Sequence, residues 1–296
     1  MQNVKVNFFI VGAAKSGTTS LYHYLNSHPE IFMSELKETN YFSSKEILEQ
    51  KLFYNEVVIN EQQQYEKLFE KVKNERAIGE ASVSYLYYDK VPQRIFEYNP
   101  KAKIIILLRN PVERAISHHA MDQRMGWNNI PLSNIFDLSS KHQQIENYFQ
   151  QYILLGNYFA QVKRYFDCFG KENVKVILFE DIKKDIQTEV SHLYTYLNVD
   201  SSFVPQPIEE DNAAKEVRSS VLKVLYQQKG IRKFIKASLP GNLRKSIEKV
   251  VFSKKSKPKD NLLLQKLSVY YKDDINQLAQ LLNLNLQHWH LNDEHK

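Results

Sequence analysis

The sequence predicts an α/β fold in which helices flank a parallel central sheet, with a helical C-terminal extension. Two observations carry this prediction. Short apolar runs alternate with stretches of helical periodicity, the pattern of strands joined by crossover helices. One run, residues 103–108, contains three consecutive isoleucines, as expected for a strand covered on both faces. The chain has no internal repeat and no low-complexity linker, so we expect one domain over residues 1–296.

In the first half of the chain, each predicted strand leads into a predicted helix. Residues 7–11 form an apolar run that enters a glycine turn rather than a signal peptide, and residues 18–28 follow with helical periodicity. The strand at residues 103–108 is followed by Asn110-Pro111-Val112-Glu113. Asparagine is a good N-cap, proline favours the first helical position, and the glutamate completes a capping box. We therefore predict a helix from Pro111 to about Met125.

In the second half of the chain, predicted strands and helices continue to alternate, and the pattern then becomes entirely helical. The predicted elements are a helix over 145–166 interrupted at 156–158, a strand over 174–179, a helix over 188–197 and a loop over 201–207. From residue 213 onward the pattern is helical, and a last long helix is predicted over 262–282. Its predicted inward face consists of Leu263, Leu267, Tyr270, Leu278 and Leu281.

The composition excludes several classes of protein. Of the 296 residues, 43% are hydrophobic and 25% are charged, which excludes wholesale disorder and a collagen-like repeat. The single cysteine, Cys168, excludes an intrachain disulfide framework and a cysteine-based zinc site. No apolar run is long enough to cross a bilayer. One cysteine fits a reducing compartment, so we expect a cytoplasmic protein.

Residues 12–19, GAAKSGTT, join the first predicted strand to the first predicted helix. At such a turn, unpaired backbone N–H groups converge at a helix N-terminus, and the helix dipole favours an anion. Glycines at 12 and 17 allow the backbone to approach a phosphate closely. An ordinary strand–helix turn with a solvated Lys15 is the alternative. The polar residues gathered around Lys15 favour phosphate binding.

The turn departs from the phosphate loop of ordinary nucleotide kinases. That motif places a lysine directly after its second glycine, whereas this chain has Thr18 there and carries its lysine at position 15. A divergent P-loop kinase or NTPase nevertheless remains an alternative. Its best support is residues 174–181, VKVILFED, a strand with acidic residues at its end.

A second anion anchor is predicted at Arg109, which follows the isoleucine-rich strand, with Ser117 about two turns into the next helix. Ligands of open α/β sheets bind at the carboxyl ends of the strands, where Arg109 is expected. The planar guanidinium group matches the oxygens of a phosphate. Taken alone, Arg109 would be read as a salt-bridge residue and Ser117 as a surface hydroxyl. Together they predict a second phosphate site.

These motifs resemble those of sulfotransferases that use 3′-phosphoadenosine 5′-phosphosulfate (PAPS). FIVGAAKSGTTSL at residues 9–21 resembles their 5′-phosphosulfate loop, and LRNPVERAIS at 108–117 resembles their 3′-phosphate motif. KETNYF at 37–42 is similar to a segment of the heparan-sulfate sulfotransferase branch and its bacterial relatives. Three further features are similar to this family, namely GEAS at 79–82, GNY at 156–158 and Trp289. The resemblance therefore spans most of the chain.

The resemblance implies a P-loop-like fold and transfer of a sulfuryl group from PAPS to a hydroxyl or amine. It implies that Lys15 stabilises the leaving phosphate, that Glu38 is the general base, and that no metal is required. A solvated glutamate is the alternative for Glu38. The implied PAPS-binding residues are Lys15, Ser16, Gly17, Thr18, Thr19, Arg109, Ser117 and, from a later loop, Arg218.

The net charge of +6 arises in one segment. Residues 229–259 contain eleven Lys or Arg and one acid, so the remaining residues sum to −4. The apolar residues of this segment recur at helical spacing, which fits an anionic membrane surface, an acidic glycan or a solvated cationic face. We therefore expect no nucleic-acid partner. The expected acceptor is a glycan or glycolipid, and the protein would be cytoplasmic with possible peripheral contact to a membrane. A non-catalytic polyanion- or membrane-binding protein is the remaining alternative class.

Overall fold

The structure is a computed structural model that describes residues 4–51, 59–207, 216–217, 252–253 and 260–290. Its centre is a five-stranded sheet in the order β2-β3-β1-β4-β5, and every neighbouring pair in it is parallel. The strands are β1 (Phe8–Gly12), β2 (Ile31–Met33), β3 (Ala77–Ala81), β4 (Lys103–Leu108) and β5 (Val174–Leu178). The predicted parallel sheet is therefore confirmed.

Helices connect the strands and cover both faces of the sheet. They are α1 (Thr18–Asn26), α2 (Ser44–Gln50), α3 (Gln62–Lys67), α4 (Val91–Tyr98), α5 (Pro111–Met125), α6 (Leu132–Phe136), α7 (Ile145–Tyr152), α8 (Tyr158–Phe169), α9 (Phe179–Lys184), α10 (Ile186–Leu197) and α11 (Asn261–Leu282). Short 3-10 turns occur at Tyr41–Ser43, Leu154–Gly156, Lys171–Asn173 and Gln287–Trp289. No helix in these ranges is both long and apolar enough to cross a membrane.

Alternate residues of the central strands point into two separate cores. Phe9 and Ile104 pack with α8 and α11 on one face, whereas Phe8 and Ile105 pack with α1 and α10 on the other. All four side chains are fully buried. A strand buried on both faces is apolar at successive positions, which explains why the sequence of β4 contains an uninterrupted apolar run.

The predicted cap of α5 is half correct. The Asn110 side chain accepts hydrogen bonds from Val112 N at 3.0 Å and Glu113 N at 3.3 Å. Glu113 does not reach back to close the predicted capping box. Its carboxylate instead accepts from the guanidinium of Arg109, with Nη2 and Oε2 2.9 Å apart. The prediction failed because a charged partner outside the helix is stronger than a neutral backbone N–H.

Helix α11 is rotated slightly from the predicted orientation. Leu263, Leu267 and Leu278 are buried as predicted, and Leu281 is partly buried against the core, but Tyr271 and Ile275 complete the inward face instead of Tyr270. Tyr270 is 37% exposed. Tyr271 lies inward because its hydroxyl donates to Ile153 O at 2.8 Å and its ring packs where Gly156 has no side chain.

Two further predictions require correction. The strand predicted over 174–179 ends at Leu178, and Phe179 begins α9. The helical pattern predicted from residue 213 onward fails at Glu216–Val217 and Phe252–Ser253, which pair as antiparallel strands β6 and β7. The rest of residues 208–259, including most of the basic segment, lies outside the described residues.

Candidate active site

The topology brings the two predicted anion anchors to one edge of the sheet. Strands β1 and β4 are parallel neighbours, so the loop after β1 and Arg109 after β4 lie side by side. Arg109 Nη1 donates a hydrogen bond to the carbonyl oxygen of Lys15 at 3.4 Å. The loop after β3, which carries residues 82–89, lies at the same edge because β3 is the other neighbour of β1.

The loop between β1 and α1 has the backbone expected of an anion site. Lys15 and Gly17 both adopt positive φ angles, of 68° and 89°, and Gly17 is the N-cap of α1. A side chain at Gly17 would lie 3.1 Å from the ring of Phe179, and one at Gly12 would lie 2.7 Å from Leu86 Cβ. Glycine is therefore needed at both positions for backbone geometry and for space. The first amides of α1 have no partner within the helix and face the loop.

The hydroxyl residues of the loop differ in exposure. Thr18 is buried and Thr19 is exposed. The Ser16 hydroxyl is fully buried and lies beside the phenol of Tyr158 without a well-formed hydrogen bond. A buried hydroxyl with unused bonding capacity can orient toward an anion held by the loop.

Arg109 is held from several directions. Its guanidinium carbon lies 4.8 Å from the centre of the Phe179 ring, and Glu113 accepts from its Nε and Nη2 atoms. The Tyr158 hydroxyl donates to the Arg109 carbonyl at 3.0 Å. These contacts pre-orient a planar cation at the strand end, which lowers the entropy lost on binding an anion.

Ser117 lies on α5, one turn before Met121. Met121 Sδ accepts a hydrogen bond from Lys15 Nζ at 3.2 Å, so this face of the helix looks toward the loop. Residues four apart share a helix face, which places the half-buried Ser117 on the loop side. Arg109 thus lies just before the first residue of α5, and Lys15 contacts the same helix near its last turn.

Lys15 is a cation in an unfavourable electrostatic environment. Burial is the largest effect that lowers the pKa of its ammonium group, followed by the charge of Arg124 and, more weakly, Arg109 and Lys37. Among these groups only Asp122 opposes the trend and raises the pKa of Lys15. A lysine crowded by positive charges gains more from an incoming anion than a solvated one does.

Glu38 is anchored at the carboxyl end of β3. Its residue adopts a φ of 64°, its N–H donates to Ala81 O at 2.8 Å, and its Oε2 accepts from Val83 N at 2.8 Å. Its Oε1 pairs with Lys37. The side chain is 33% exposed, so the carboxylate is fixed in place yet open to a ligand. This arrangement differs from that of a freely solvated glutamate.

A second carboxyl group, that of Glu80, lies in the hydrogen-bond network that holds the residues after Glu38. Glu80 is fully buried on β3 and accepts from Thr39 Oγ1 at 2.8 Å and Ser82 Oγ at 2.5 Å. Burial raises its pKa to about 7. Ser82 Oγ in turn accepts from Asn40 N at 3.0 Å, so the network fixes the two residues that follow Glu38. The only signal in the sequence was a charged residue inside an otherwise apolar strand.

The described residues line two cavities. One, of about 1070 Å³, extends along α1 and α9 and is lined in part by Gly17, Thr19 and Phe179. The other, of about 430 Å³, lies between α2 and α8. Its lining includes Tyr87 and Tyr88 together with amide side chains and acidic residues. Arg218 and residues 229–251 and 254–259 lie outside the described residues.

The chain is similar to a known protein family and to a solved structure. A family model of the sulfotransferase domain matches residues 5–278. A solved sulfotransferase from Alicyclobacillus acidocaldarius is 30% identical and superposes with a TM-score of 0.71, covering 97% of this chain and 99% of that chain. The resemblance inferred from the motifs is therefore confirmed.

Curated relatives are similar over part of their length. The membrane-associated sulfotransferase kil1 of Dictyostelium discoideum is 38% identical over 116 residues, which are 38% of this chain and 22% of that protein. Bifunctional heparan sulfate N-deacetylase/N-sulfotransferase 1 of Mus musculus is 28% identical over 178 residues, 57% of this chain and 19% of that protein. The chain thus spans about a fifth of the length of these two relatives.

Proposed function

The chain belongs to the sulfotransferase family, and from this membership we propose that it moves the sulfuryl group of PAPS to a hydroxyl or amine of a carbohydrate-like acceptor. The observation that carries the proposal is the contact between Arg109 and the backbone of Lys15. It joins a guanidinium group to a helix N-terminal loop, and each is suited to one phosphate. PAPS carries two phosphate groups at opposite ends of an adenosine.

The two anchors are assigned to different ends of this donor. Residues Ser16, Gly17, Thr18 and Thr19, with Lys15, hold the 5′-phosphosulfate through loop amides and hydroxyls. Arg109 and Ser117 hold the 3′-phosphate, and Arg218 is proposed to assist them. The adenosine occupies the cavity of about 1070 Å³ along α1 and α9, which reaches both Gly17 and Phe179.

The reaction is proposed to be a direct transfer at sulfur. The acceptor oxygen or nitrogen forms a bond to sulfur as the bond from sulfur to the bridging oxygen breaks, and that electron pair stays on the 5′-phosphate of the leaving bisphosphate. Lys15 stabilises the negative charge that develops there. Glu38 accepts the proton released by the acceptor. A sulfuryl group carries less charge than a terminal phosphoryl group, so the proposal invokes no metal ion.

The proposed acceptor site is the cavity of about 430 Å³ between α2 and α8. Tyr87 and Tyr88 offer aromatic faces for sugar rings, while Asn157 offers an amide group to a hydroxyl. One relative is named as a heparan sulfate N-deacetylase/N-sulfotransferase, and heparan sulfate is a carbohydrate. This supports a glycan-like acceptor for the present chain.

The basic segment at residues 229–259 is proposed to contact an anionic surface, either an acidic glycan or a membrane touched peripherally by a cytoplasmic protein. Its charge and helical spacing support this, as does one relative named as membrane-associated. Sedimentation with anionic liposomes tests the membrane version. Binding that survives replacement of the lysines of the segment would contradict it.

The donor assignment is tested by comparing thermal shifts with adenosine 3′,5′-bisphosphate and with Mg-ATP. We expect stabilisation by the bisphosphate, since a ligand that binds only the folded state raises the melting temperature. Stabilisation by Mg-ATP alone would favour the kinase or NTPase alternative instead. Stabilisation by neither would favour a binding protein without this activity.

A further inference from the structure

Glu80 of β3 is a fully buried carboxyl group that the proposed reaction does not use. Its Oε1 accepts from Thr39 Oγ1 at 2.8 Å and from Ser82 Oγ at 2.5 Å, and its Oε2 accepts from the Tyr65 hydroxyl at 3.3 Å. Thr39 and Ser82 are themselves fully buried. A buried carboxyl group costs stability unless hydrogen bonds replace those it made to water, and here three neutral hydroxyl groups supply them.

The hydroxyl groups that donate to Glu80 accept from backbone N–H groups in turn. A hydroxyl group has one proton to donate and can accept two hydrogen bonds. Ser82 Oγ accepts from Asn40 N at 3.0 Å, and Thr39 Oγ1 accepts from Tyr41 N at 3.3 Å. Because the proton of each hydroxyl is directed to Glu80, the carboxyl group fixes the direction in which both hydroxyls accept.

A third hydroxyl group extends this network to Phe42. The Tyr85 hydroxyl accepts from Phe42 N at 3.2 Å and lies 3.2 Å from Thr39 Oγ1. Since the Thr39 proton is directed to Glu80, the tyrosine is the donor in the second contact. The N–H groups served in this way lie where the 3-10 turn at Tyr41–Ser43 begins. The first N–H groups of a helix have no acceptor within it, so the buried hydroxyls supply the acceptors.

Glu38 is joined to the same two segments of the chain. Its N–H donates to Ala81 O at 2.8 Å, and its Oε2 accepts from Val83 N at 2.8 Å. Ala81 and Val83 are the chain neighbours of Ser82, whose hydroxyl donates to Glu80. Glu38 has a φ of 64°, a conformation that a residue with a side chain keeps only when its surroundings hold it. The position of its carboxylate therefore depends on the segments that Glu80 holds together.

We propose that Glu80 is a positioning residue for Glu38. Through the Thr39 and Ser82 hydroxyls, it holds the residues after Glu38 against the loop after β3, so that the Glu38 carboxylate keeps one orientation toward the acceptor. A general base must lie within hydrogen-bond reach of the proton that it removes, and a displacement of about 1 Å can cost about a hundred-fold in rate. This inference rests on the proposed role of Glu38 as the general base, but the hydrogen bonds themselves can be measured without catalysis.

The direct test is amide hydrogen exchange of the folded protein, followed by NMR at the N–H groups of Glu38 and Val83. Thr39→Val removes one hydroxyl of the network and keeps nearly the same shape, whereas Thr39→Ser keeps the hydroxyl. We expect both amides to exchange about five-fold faster in Thr39→Val, the effect of weakening one hydrogen bond, and Thr39→Ser to restore most of the protection. Thr188→Val is the matched control, because it removes an exposed hydroxyl that donates to Asp185 at the start of α10. It should change neither amide.

Substitutions of Glu80 itself separate its hydrogen bonds from its bulk. Glu80→Gln keeps an oxygen that can accept from both Thr39 and Ser82, whereas Glu80→Met has a similar size and no side-chain oxygen. Exchange at the Glu38 and Val83 amides should be faster in Glu80→Met and close to native in Glu80→Gln. If Glu80→Met does not fold, Thr39→Val decides the same question. Unchanged exchange at both amides in folded Thr39→Val would overturn the proposal.

Sulfuryl transfer supplies a separate readout, with radiolabelled PAPS as the donor and de-N-sulfated heparin, a glycan with hydroxyl and amine groups, as the acceptor probe. In Thr39→Val we expect kcat to fall by roughly ten- to a hundred-fold, while the affinity for adenosine 3′,5′-bisphosphate stays at the native value. Thr39→Ser should restore most of the rate. A loss of kcat that Thr39→Ser does not restore, or an equal loss of bisphosphate affinity, would indicate a merely structural role and would overturn the proposal. If the native protein transfers no sulfate, the failure belongs to the proposed function, and the exchange rates still decide the role of Glu80.

Discussion

The guanidinium of Arg109 and the ring of Phe179 are stacked at the carboxyl edge of the sheet, 4.8 Å apart. The same ring adjoins Gly17, where a side chain would lie 3.1 Å from it. Phe179, which follows β5, thus contacts both the loop after β1 and the Arg109 guanidinium after β4. One aromatic ring packs against both predicted anion anchors.

Removing this ring should weaken binding of the donor. In Phe179→Ala the guanidinium loses the aromatic ring that it stacks on, a contact worth about 0.5–2 kcal/mol, so affinity for adenosine 3′,5′-bisphosphate should fall roughly two- to thirty-fold. Isothermal titration calorimetry measures this. Phe166→Ala removes a partly buried ring of α8 that contacts the Lys171 ammonium group, and this variant serves as the control. Equal affinities of the native protein and Phe179→Ala would contradict a role of this ring in donor binding.

Arg109→Lys should show whether donor binding needs the planar guanidinium group of Arg109 as well as its charge. Lysine keeps the charge but cannot make two parallel bonds to one phosphate. We expect affinity for adenosine 3′,5′-bisphosphate to fall roughly ten- to a hundred-fold, the effect of losing a charge-assisted bond, and affinity for adenosine 5′-phosphate to change little. A similar loss with both ligands would place Arg109 away from the 3′-phosphate.

Lys15→Ala and Glu38→Gln should separate the two catalytic roles. Both variants should lose sulfuryl transfer by roughly a hundred-fold or more. Only Lys15→Ala should also weaken binding of the bisphosphate, because Glu38 is assigned to the acceptor proton. Radiolabelled transfer and calorimetry on the same preparations test this. Loss of bisphosphate binding in Glu38→Gln would argue against its role as the base.

Gly17→Ala should damage both folding and donor binding. The residue adopts a φ of 89°, and the added methyl group would press on the Phe179 ring, so we expect a loss of about 1–2 kcal/mol in the free energy of unfolding. Gly170→Ala is the control, since Gly170 has a φ of 77° at the end of α8, far along the chain from the loop. Urea unfolding should show a loss in both variants, while only Gly17→Ala should weaken bisphosphate binding.

Glu80 should make stability depend on pH. Its pKa is about 7 in the folded protein, higher than in an unfolded chain, so the folded state binds the proton more tightly. The free energy of unfolding therefore falls as pH rises from about 4.5 to about 7, by up to about 3 kcal/mol from this group. In Glu80→Gln this contribution is absent. Urea unfolding at about pH 5 and about pH 8 measures the free energy of unfolding of both proteins. The value for Glu80→Gln should increase relative to that of the native protein at the higher pH. A difference that does not change with pH would contradict the assignment.

Much of the fold was predictable because its signals are local. The apolar run at Lys103–Leu108 and the cap at Asn110 gave β4 and α5 with the bounds that the structure has. The Gly12–Thr19 turn was equally readable, since glycines and hydroxyls between a strand and a helix have few structural explanations. The inward face of α11 was less predictable, because the close packing of Tyr271 on Gly156 depends on a segment more than a hundred residues away.

By itself, the sequence determined the family, the parallel sheet and the identity of the residues proposed to bind and transfer the sulfuryl group. Tertiary structure decided which groups surround them. The Glu113 carboxylate paired with Arg109 instead of its own helix end, Phe179 packed against both Gly17 and Arg109, and Lys15 came into contact with Met121 of α5. Charges interact through space and through the low polarity of the interior. A linear pattern records neither that distance nor that burial.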